Sequence, residues 1–191
     1  MILHYGGYKM NNLTKIAEGK SKIIYIDNNK MDVYLEFKGD VRCSHQRVQY
    51  DERIAILRAM TSYKIFCYLY EKNVKQIVLP ELVTNSMLKM KKVYSYPLEW
   101  IPRYYAAGSV VKRFGFMEGY KFKKPLLKID YKTNTEDYLI TDEFIIELGL
   151  LNATELQNAK KLCMEIANIL KTFFLSKELV LGDFKLELGK N

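Results

Sequence analysis

Histidine is almost missing from this chain. Only His4 and His45 occur in 191 residues, which argues against a histidine-based metal centre. Cysteine is scarce as well. Cys43, Cys67 and Cys163 are widely spaced, form no CxxC pair and are odd in number. That pattern argues against structural zinc and for a reducing, cytoplasmic setting. No apolar run approaches the roughly 18 to 20 residues that a membrane helix needs. The opening "MILHYGGYKMNNLTK" has no basic segment followed by an apolar one, so it predicts a loose leader over 1–12 rather than a signal peptide, with Met10 a candidate start. Repeats, low-complexity tracts and long linkers are absent too, and so is any block of five or six like charges.

What remains is ordinary globular composition, 49% hydrophobic and 27% charged, enough for one sizeable core or two small lobes. The net charge is +8. Such an excess suits a polyanionic partner, either nucleic acid or phosphorylated small molecules, and equally suits a lysine-rich surface with no partner. The lysines are spread along the chain, so a dedicated nucleic-acid arm is not supported.

Leu13 to Tyr25 and Met31 to Phe37 read as strands joined by "DNNK", a hairpin turn whose Asn and Asp tolerate left-handed backbone. The first of these strands carries "EGKSKIIY". A glycine there suggests a bulge or a close backbone approach to a ligand, and Lys20 and Lys22, two apart, would point the same way. Residues 51–72 predict a helix capped by Asp51, with Ile56, Met60, Tyr63, Cys67 and Tyr70 on its apolar face. "QIVLPELV", "SMLKMKKVY" and "LEWIPRYYA" read as further antiparallel strands punctuated by Pro80 and Pro97. Asn152 and Glu155 predict a capping box before a helix that buries Leu156, Ala159, Cys163, Ile166, Leu170 and Phe173. A last alternating strand, Leu181 to Gly189, offers Asp183, Lys185 and Glu187 on one face. Strands, helix, strands, helix, strand is the order of an α+β fold with an antiparallel N-terminal sheet.

Three groups in this order can carry chemistry. Gly19, Lys20 and Lys22 suit a polyphosphate, and suit a solvated strand edge as well. In "RYYAAGSVVKR", Arg103 can grip phosphate or carboxylate with two prongs, Ser109 adds a hydroxyl and an amide, and Lys112 and Arg113 add charge a turn later. The same stretch also fits a plain basic strand-to-helix junction. In "GDFKLELG", Asp183 and Glu187 with Lys185 between them could hold Mg²⁺ beside a phosphoryl group, or form the outer face of an edge strand.

Taken together, "EGKSKIIY", "PLEW" with "RYYAAGSVVKR", Pro125 and "LVLGDFKLELG" resemble the SAICAR synthetase family over Leu13 to Gly189. These enzymes join L-aspartate to the carboxylate of the imidazole ribotide CAIR, using ATP. The resemblance implies a two-lobed α+β fold with an ATP-binding lobe over 13–95, a substrate lobe over 96–191 and ATP in the cleft between them. It implies ATP phosphate contacts at Gly19, Lys20 and Lys22, and ribotide contacts at Arg103, Ser109 and Arg113. It further implies reaction-side roles for Asp183 and Lys185 and a Mg²⁺ ligand at Glu187. A carboxylate is a poor electrophile, so the implied route is an acyl phosphate that the aspartate amine attacks. Phosphoryl transfer of this kind is mostly positioning and charge neutralisation, so no Ser-His-Asp or Cys-His arrangement is needed.

The family pattern continues past "ELG" through a further strand, an acidic pair and an arginine, so the resemblance implies a chain without that last segment. The Leu181–Leu188 strand would then have an open edge, covered by a second chain as in a homo-oligomer or else frayed. Three loops also depart from the family: "GDVRCS" keeps only Asp40, "LRAMTSY" lacks the glycines and asparagines, and "KTNTEDYL" puts Asn134, Tyr138 and Leu139 at its Asp and Asp-Pro positions. Two functions follow as alternatives: a working ligase, or a non-catalytic relative that binds adenine nucleotide or a ribotide.

Overall fold

The computed structural model describes residues 12–42, 48–133 and 135–190. Met10, the leader up to residue 11, both histidines, Cys43 and Asn134 lie outside the described residues, as does the side chain of Ser109. The chain forms two compact units that divide between Lys92 and Val93.

The first unit contains β1 (Leu13–Glu18), β2 (Lys22–Asp27), β3 (Asp32–Phe37), β4 (Asp40–Arg42), β5 (Val48–Tyr50), α1 (Glu52–Glu71), β6 (Glu81–Thr84) and β7 (Met87–Lys91). Five strands make an antiparallel sheet in the order β1-β2-β3-β7-β6, while β4 and β5 pair separately. The stretch expected to be one strand, Leu13 to Tyr25, is two. The chain reverses at Gly19–Ser21, where the Gly19 amide donates to the Lys22 carbonyl at 2.8 Å. The bulge lies instead between Lys15 and Ala17. At the next turn the left-handed residue is Lys30, not an asparagine. Asp27 draws the chain into this conformation, its side chain accepting from the amides of Met31 (3.2 Å) and Asp32 (3.4 Å).

Asp51 caps α1 as expected, accepting from the Arg53 amide at 2.9 Å. The far end closes in a Schellman arrangement. Asn73 is left-handed, its amide reaches Tyr70, and the Val74 amide reaches Leu69, with both apolar side chains buried. The buried seam of α1 is Ala55, Ala59 and Leu69, one residue off the expected face. Ile56, Met60, Tyr63 and Cys67 flank it half-buried, and Tyr70 is exposed. Small residues at the centre let the helix lie close to its sheet.

The second unit contains β8 (Tyr94–Ser95), β9 (Leu98–Tyr105), α2 (Ser109–Phe114), β10 (Lys121–Lys132), β11 (Asp137–Leu139), α3 (Asp142–Glu147), α4 (Ala153–Leu175) and β12 (Gly189–Lys190). Strands β11, β10 and β9 form an antiparallel sheet. Leu98, Trp100 and Ile129 from one of its faces pack with Ile145, Leu151, Leu156 and Cys163 into a single core. The Asn152–Glu155 capping box is present with both bonds, 2.8 and 2.9 Å, and α4 buries Leu156, Cys163, Ile166, Ala167 and Leu170.

The expected last strand, Leu181 to Gly189, is not a continuous strand. It runs antiparallel along β9 and bridges it at Trp100–Leu186 and Arg103–Asp183, and β12 then pairs with β8. The amides of Trp100 and Tyr104 donate to Leu186 (3.0 Å) and Gly182 (2.8 Å). Between them, Pro102 has no amide to give, and the ladder is broken there. The alternation survives: Leu186 and Leu188 pack on the core while Lys185 and Glu187 are exposed.

Candidate functional site

The sheet of the second unit has a charged face opposite its core. Side chains alternate along a strand, so with Leu98 and Trp100 inward, Glu99, Ile101 and Arg103 point the other way. The same rule puts Lys128, Asp130 and Lys132 of β10 on that face, since Ile129 is in the core. Asp183, Lys185 and Glu187 complete it from the C-terminal segment.

These charges are matched pairwise. Arg103 Nη2 meets Asp183 Oδ2 at 2.8 Å and Arg103 Nη1 donates to the Ala107 carbonyl at 2.7 Å. Lys185 Nζ donates to Glu99 Oε2 at 2.5 Å, Lys128 to Asp130 at 2.5 Å, and Lys132 to Glu187 at 2.7 Å. The Glu99 contact raises the pKa of Lys185 against the opposing effect of burial, and the charges of Glu99, Asp137 and Asp130 add to the rise. Two buried polar atoms remain without a hydrogen-bond partner on this face, Arg103 Nε and Asp130 Oδ1.

A cavity of about 260 Å³ opens on this face. Ile101, Arg103, Lys128 and Asp130 line it from the sheet and Asp183 and Lys185 from the C-terminal segment. Arg113 of α2, with Glu136 and Asp137 of β11 and its approach, closes the rim. Four cations and four carboxylates around so small a space suit a ligand bearing both charges, not an apolar one.

Of the residues expected to act, Arg103, Arg113, Asp183 and Lys185 are thus brought together. Glu187 is not: it faces Lys132 outside the cavity lining. Among the described residues no group of three Asp, Glu, His or Cys side chains could hold a metal ion, and a Mg²⁺ ion held at Glu187 would take most of its ligands from water and substrate phosphates. Ser109 begins α2, next to Gly108, whose φ of 60° explains the glycine; a Cβ there would meet nothing within 4 Å, so crowding is not the reason. The structure adds Glu99, Lys128, Asp130, Glu136 and Asp137 to the expected residues, and of these only Lys128 and Asp130 carry a sequence signal, their period-two spacing in "PLLKIDYK".

In the first unit, Gly19 and Lys20 sit in the β1–β2 turn and Lys22 opens β2, so the two lysines do not share a strand face. Neither has an ion-pair partner among the described residues. Nearby, Glu18 is claimed by Lys15 and Lys38, whose hydrogen bonds and charges lower its pKa to about 2. A mostly apolar groove lies beside this turn, lined by Ser21 and Phe37 and by Ile54, Leu57, Arg58 and Thr61 of α1.

The sequence profile of SAICAR synthetase matches residues 15–191. This chain belongs to the SAICAR synthetase family. It is 37% identical over 179 residues to the phosphoribosylaminoimidazole-succinocarboxamide synthase of Caldanaerobacter subterraneus subsp. tengcongensis, covering 92% of this chain and 75% of that one. The Wigglesworthia glossinidia brevipalpis enzyme of the same name is 34% identical, with 95% and 76% covered. Among solved structures, the Ehrlichia chaffeensis synthase superposes with a TM-score of 0.86 at 31% identity, covering 93% of this chain and 76% of that one. A type-2 SAICAR synthetase in complex with ADP gives 0.83 at 29% identity, with the same coverage. The SAICAR synthetase fold is therefore the fold of this chain, and it is α+β as its element order implied. No described helix is long and apolar enough to cross a membrane.

Proposed function

We propose that this chain is an ATP-dependent ligase of purine biosynthesis that joins L-aspartate to the carboxylate of CAIR to give SAICAR, through an acyl phosphate. Family membership supports the reaction, and the ADP-bound relative supports nucleotide binding. The observation that carries the reading is the cavity in which Arg103, Arg113, Asp183 and Lys185 converge.

In this reading the two arginines take the ribotide phosphate. Arg103 is already fixed by Ala107 and Asp183, so its fork does not have to be ordered when the ligand arrives. Lys185, kept protonated by Glu99, neutralises charge on the carboxylate being phosphorylated. The unpaired Lys20 and Lys22, with the Gly19 turn, take the ATP phosphates, which makes the first unit the nucleotide lobe and the second the substrate lobe.

The test is SAICAR formation by the purified 191-residue chain with CAIR, L-aspartate and Mg·ATP, followed by chromatography. Turnover that falls at least about a hundredfold in Lys185→Ala, with the fold intact, is the expected result. A folded wild-type chain that yields no SAICAR would sink the ligase reading. Retained binding of ADP or CAIR would then favour the non-catalytic alternative.

A further inference from the structure

The stretch from α2 to the start of β10 carries a surface that the ligase reading leaves unused. Its sequence, "KRFGFMEGYKFKK" over 112–124, holds five cations against one carboxylate, Glu118. Arg113 turns to the rim of the charged cavity. The other four, Lys112, Lys121, Lys123 and Lys124, are exposed and have no ion-pair partner among the described residues. The cavity differs in this respect, since Lys128 and Lys185 each face a carboxylate there.

Rings lie between these lysines. Phe116 and Tyr120 stack with centroids 5.4 Å apart and planes 28° from parallel, and Phe122 meets both edge-on at 5.3 and 5.8 Å. Phe114 is 63% exposed, and Phe116 and Tyr120 keep 37% and 40% of their surface in water. The turn that presents them is pinned to buried Ala106, just past β9. There the Gly119 amide donates to the Ala106 carbonyl and the Ala106 amide to the Tyr120 carbonyl, both at 2.8 Å. The rings are thus in place before a ligand arrives, which lowers the ordering cost of binding.

We propose that this surface binds single-stranded nucleic acid without sequence preference, with bases stacked on the exposed rings of Phe114 and Phe116 and phosphates on Lys121, Lys123 and Lys124. Exposed ring faces beside unpaired ammonium groups are the combination a single strand offers contacts to, because every base has a flat face and every nucleotide a charge. A duplex keeps its base faces stacked inside. A second copy of the same patch would bring like charges together.

Fluorescence anisotropy of a labelled oligo(dT) of about twelve nucleotides, titrated with the full 191-residue chain, tests this. Binding should be in the micromolar range at about 50 mM salt and weaken roughly twentyfold by about 200 mM, the slope of about −2 that three neutralised phosphates give. Lys123→Glu/Lys124→Glu should weaken it at least about tenfold and flatten the salt dependence. Phe114→Ala/Phe116→Ala should weaken it at least about fivefold and leave the slope unchanged; should that pair fail to fold, the more exposed Phe114→Ala decides alone. No binding at about 50 mM salt would overturn the proposal, as would full affinity in the folded ring variant, which would leave charge as the whole effect. Tighter binding to vesicles of about 30% phosphatidylserine than to the oligonucleotide would assign the surface to a membrane and overturn it too. Lys185→Ala should leave the oligonucleotide affinity within about twofold, and a loss as large as that in Lys123→Glu/Lys124→Glu would place the strand in the charged cavity instead.

Discussion

The Arg103–Asp183 pair ties the C-terminal segment to β9 at the edge of the cavity, and its energetics can be worked from the geometry. The guanidinium side chain is 8% exposed and the carboxylate side chain 32%, with 2.8 Å between them. At an effective dielectric near 20 the gross attraction is roughly 6 kcal/mol, most of it offset by the cost of drying the guanidinium. Asp183→Ala strands a buried cation that keeps only the Ala107 carbonyl, at a cost of about 2–3 kcal/mol. Arg103→Met removes the cation together with its demand and costs about 1–2 kcal/mol. The double variant should then lose about 2–3 kcal/mol, short of the roughly 3–5 kcal/mol of two independent losses, giving a coupling of about 1–2 kcal/mol. Trp100 is the single tryptophan, fully buried, and it bridges Leu186 three residues from the pair. Urea unfolding followed by its fluorescence therefore reads the unit that contains the pair. Strict additivity, or a loss below about 0.5 kcal/mol in Asp183→Ala, would refute the claim that this contact anchors the segment.

Three other perturbations have defined outcomes. Burial pushes the Cys163 thiol up to about 12, so in a Cys43→Ser/Cys67→Ser background Ellman's reagent at pH 8 should label nothing until denaturant is added. Asn152→Ala removes half of the capping box and should cost about 1 kcal/mol in the same urea assay, because the Glu155 amide at the start of α4 loses its acceptor. Glu18 is depressed to about 2 from 4.5, so the stability it contributes is present above pH 4.5 and is lost as the pH falls from about 5 through 2. NMR titration of its carboxyl should show that midpoint, moving back towards 4.5 in Lys38→Met and in high salt, since the group is exposed.

What could be read from the sequence was local. Asp51 and the Asn152–Glu155 pair announce their helices because a cap is completed within three residues. Along α1 bulk does not mark burial: Ala55 and Ala59, rather than the larger Ile56, Met60 and Tyr63, allow the close approach that defines the seam. The Gly19–Ser21 reversal was hidden because "GKS" lacks the Asn-Gly or Asp-Gly signature and sits within one long apolar-alternating run.

The site shows a harder limit. Alternation in "GDFKLELG" places Asp183, Lys185 and Glu187 on one face, but whether that face is wet, paired or a binding surface depends on residues 50 to 90 positions away. Pro102 breaks the ladder of a segment that begins some 80 residues later, and nothing near Asp183 records it. Lys128 and Asp130 look like a solvated outer face, because a strand that lines a charged cavity and one that meets water carry the same alternating pattern. Tertiary pairing separates the two. Here each of the three C-terminal charges has found an opposite charge on β9 or β10, while Asp130 Oδ1 and Arg103 Nε keep no hydrogen-bond partner. The groups left incomplete by the fold, rather than the groups most conspicuous in the sequence, are those with capacity left to bind a ligand.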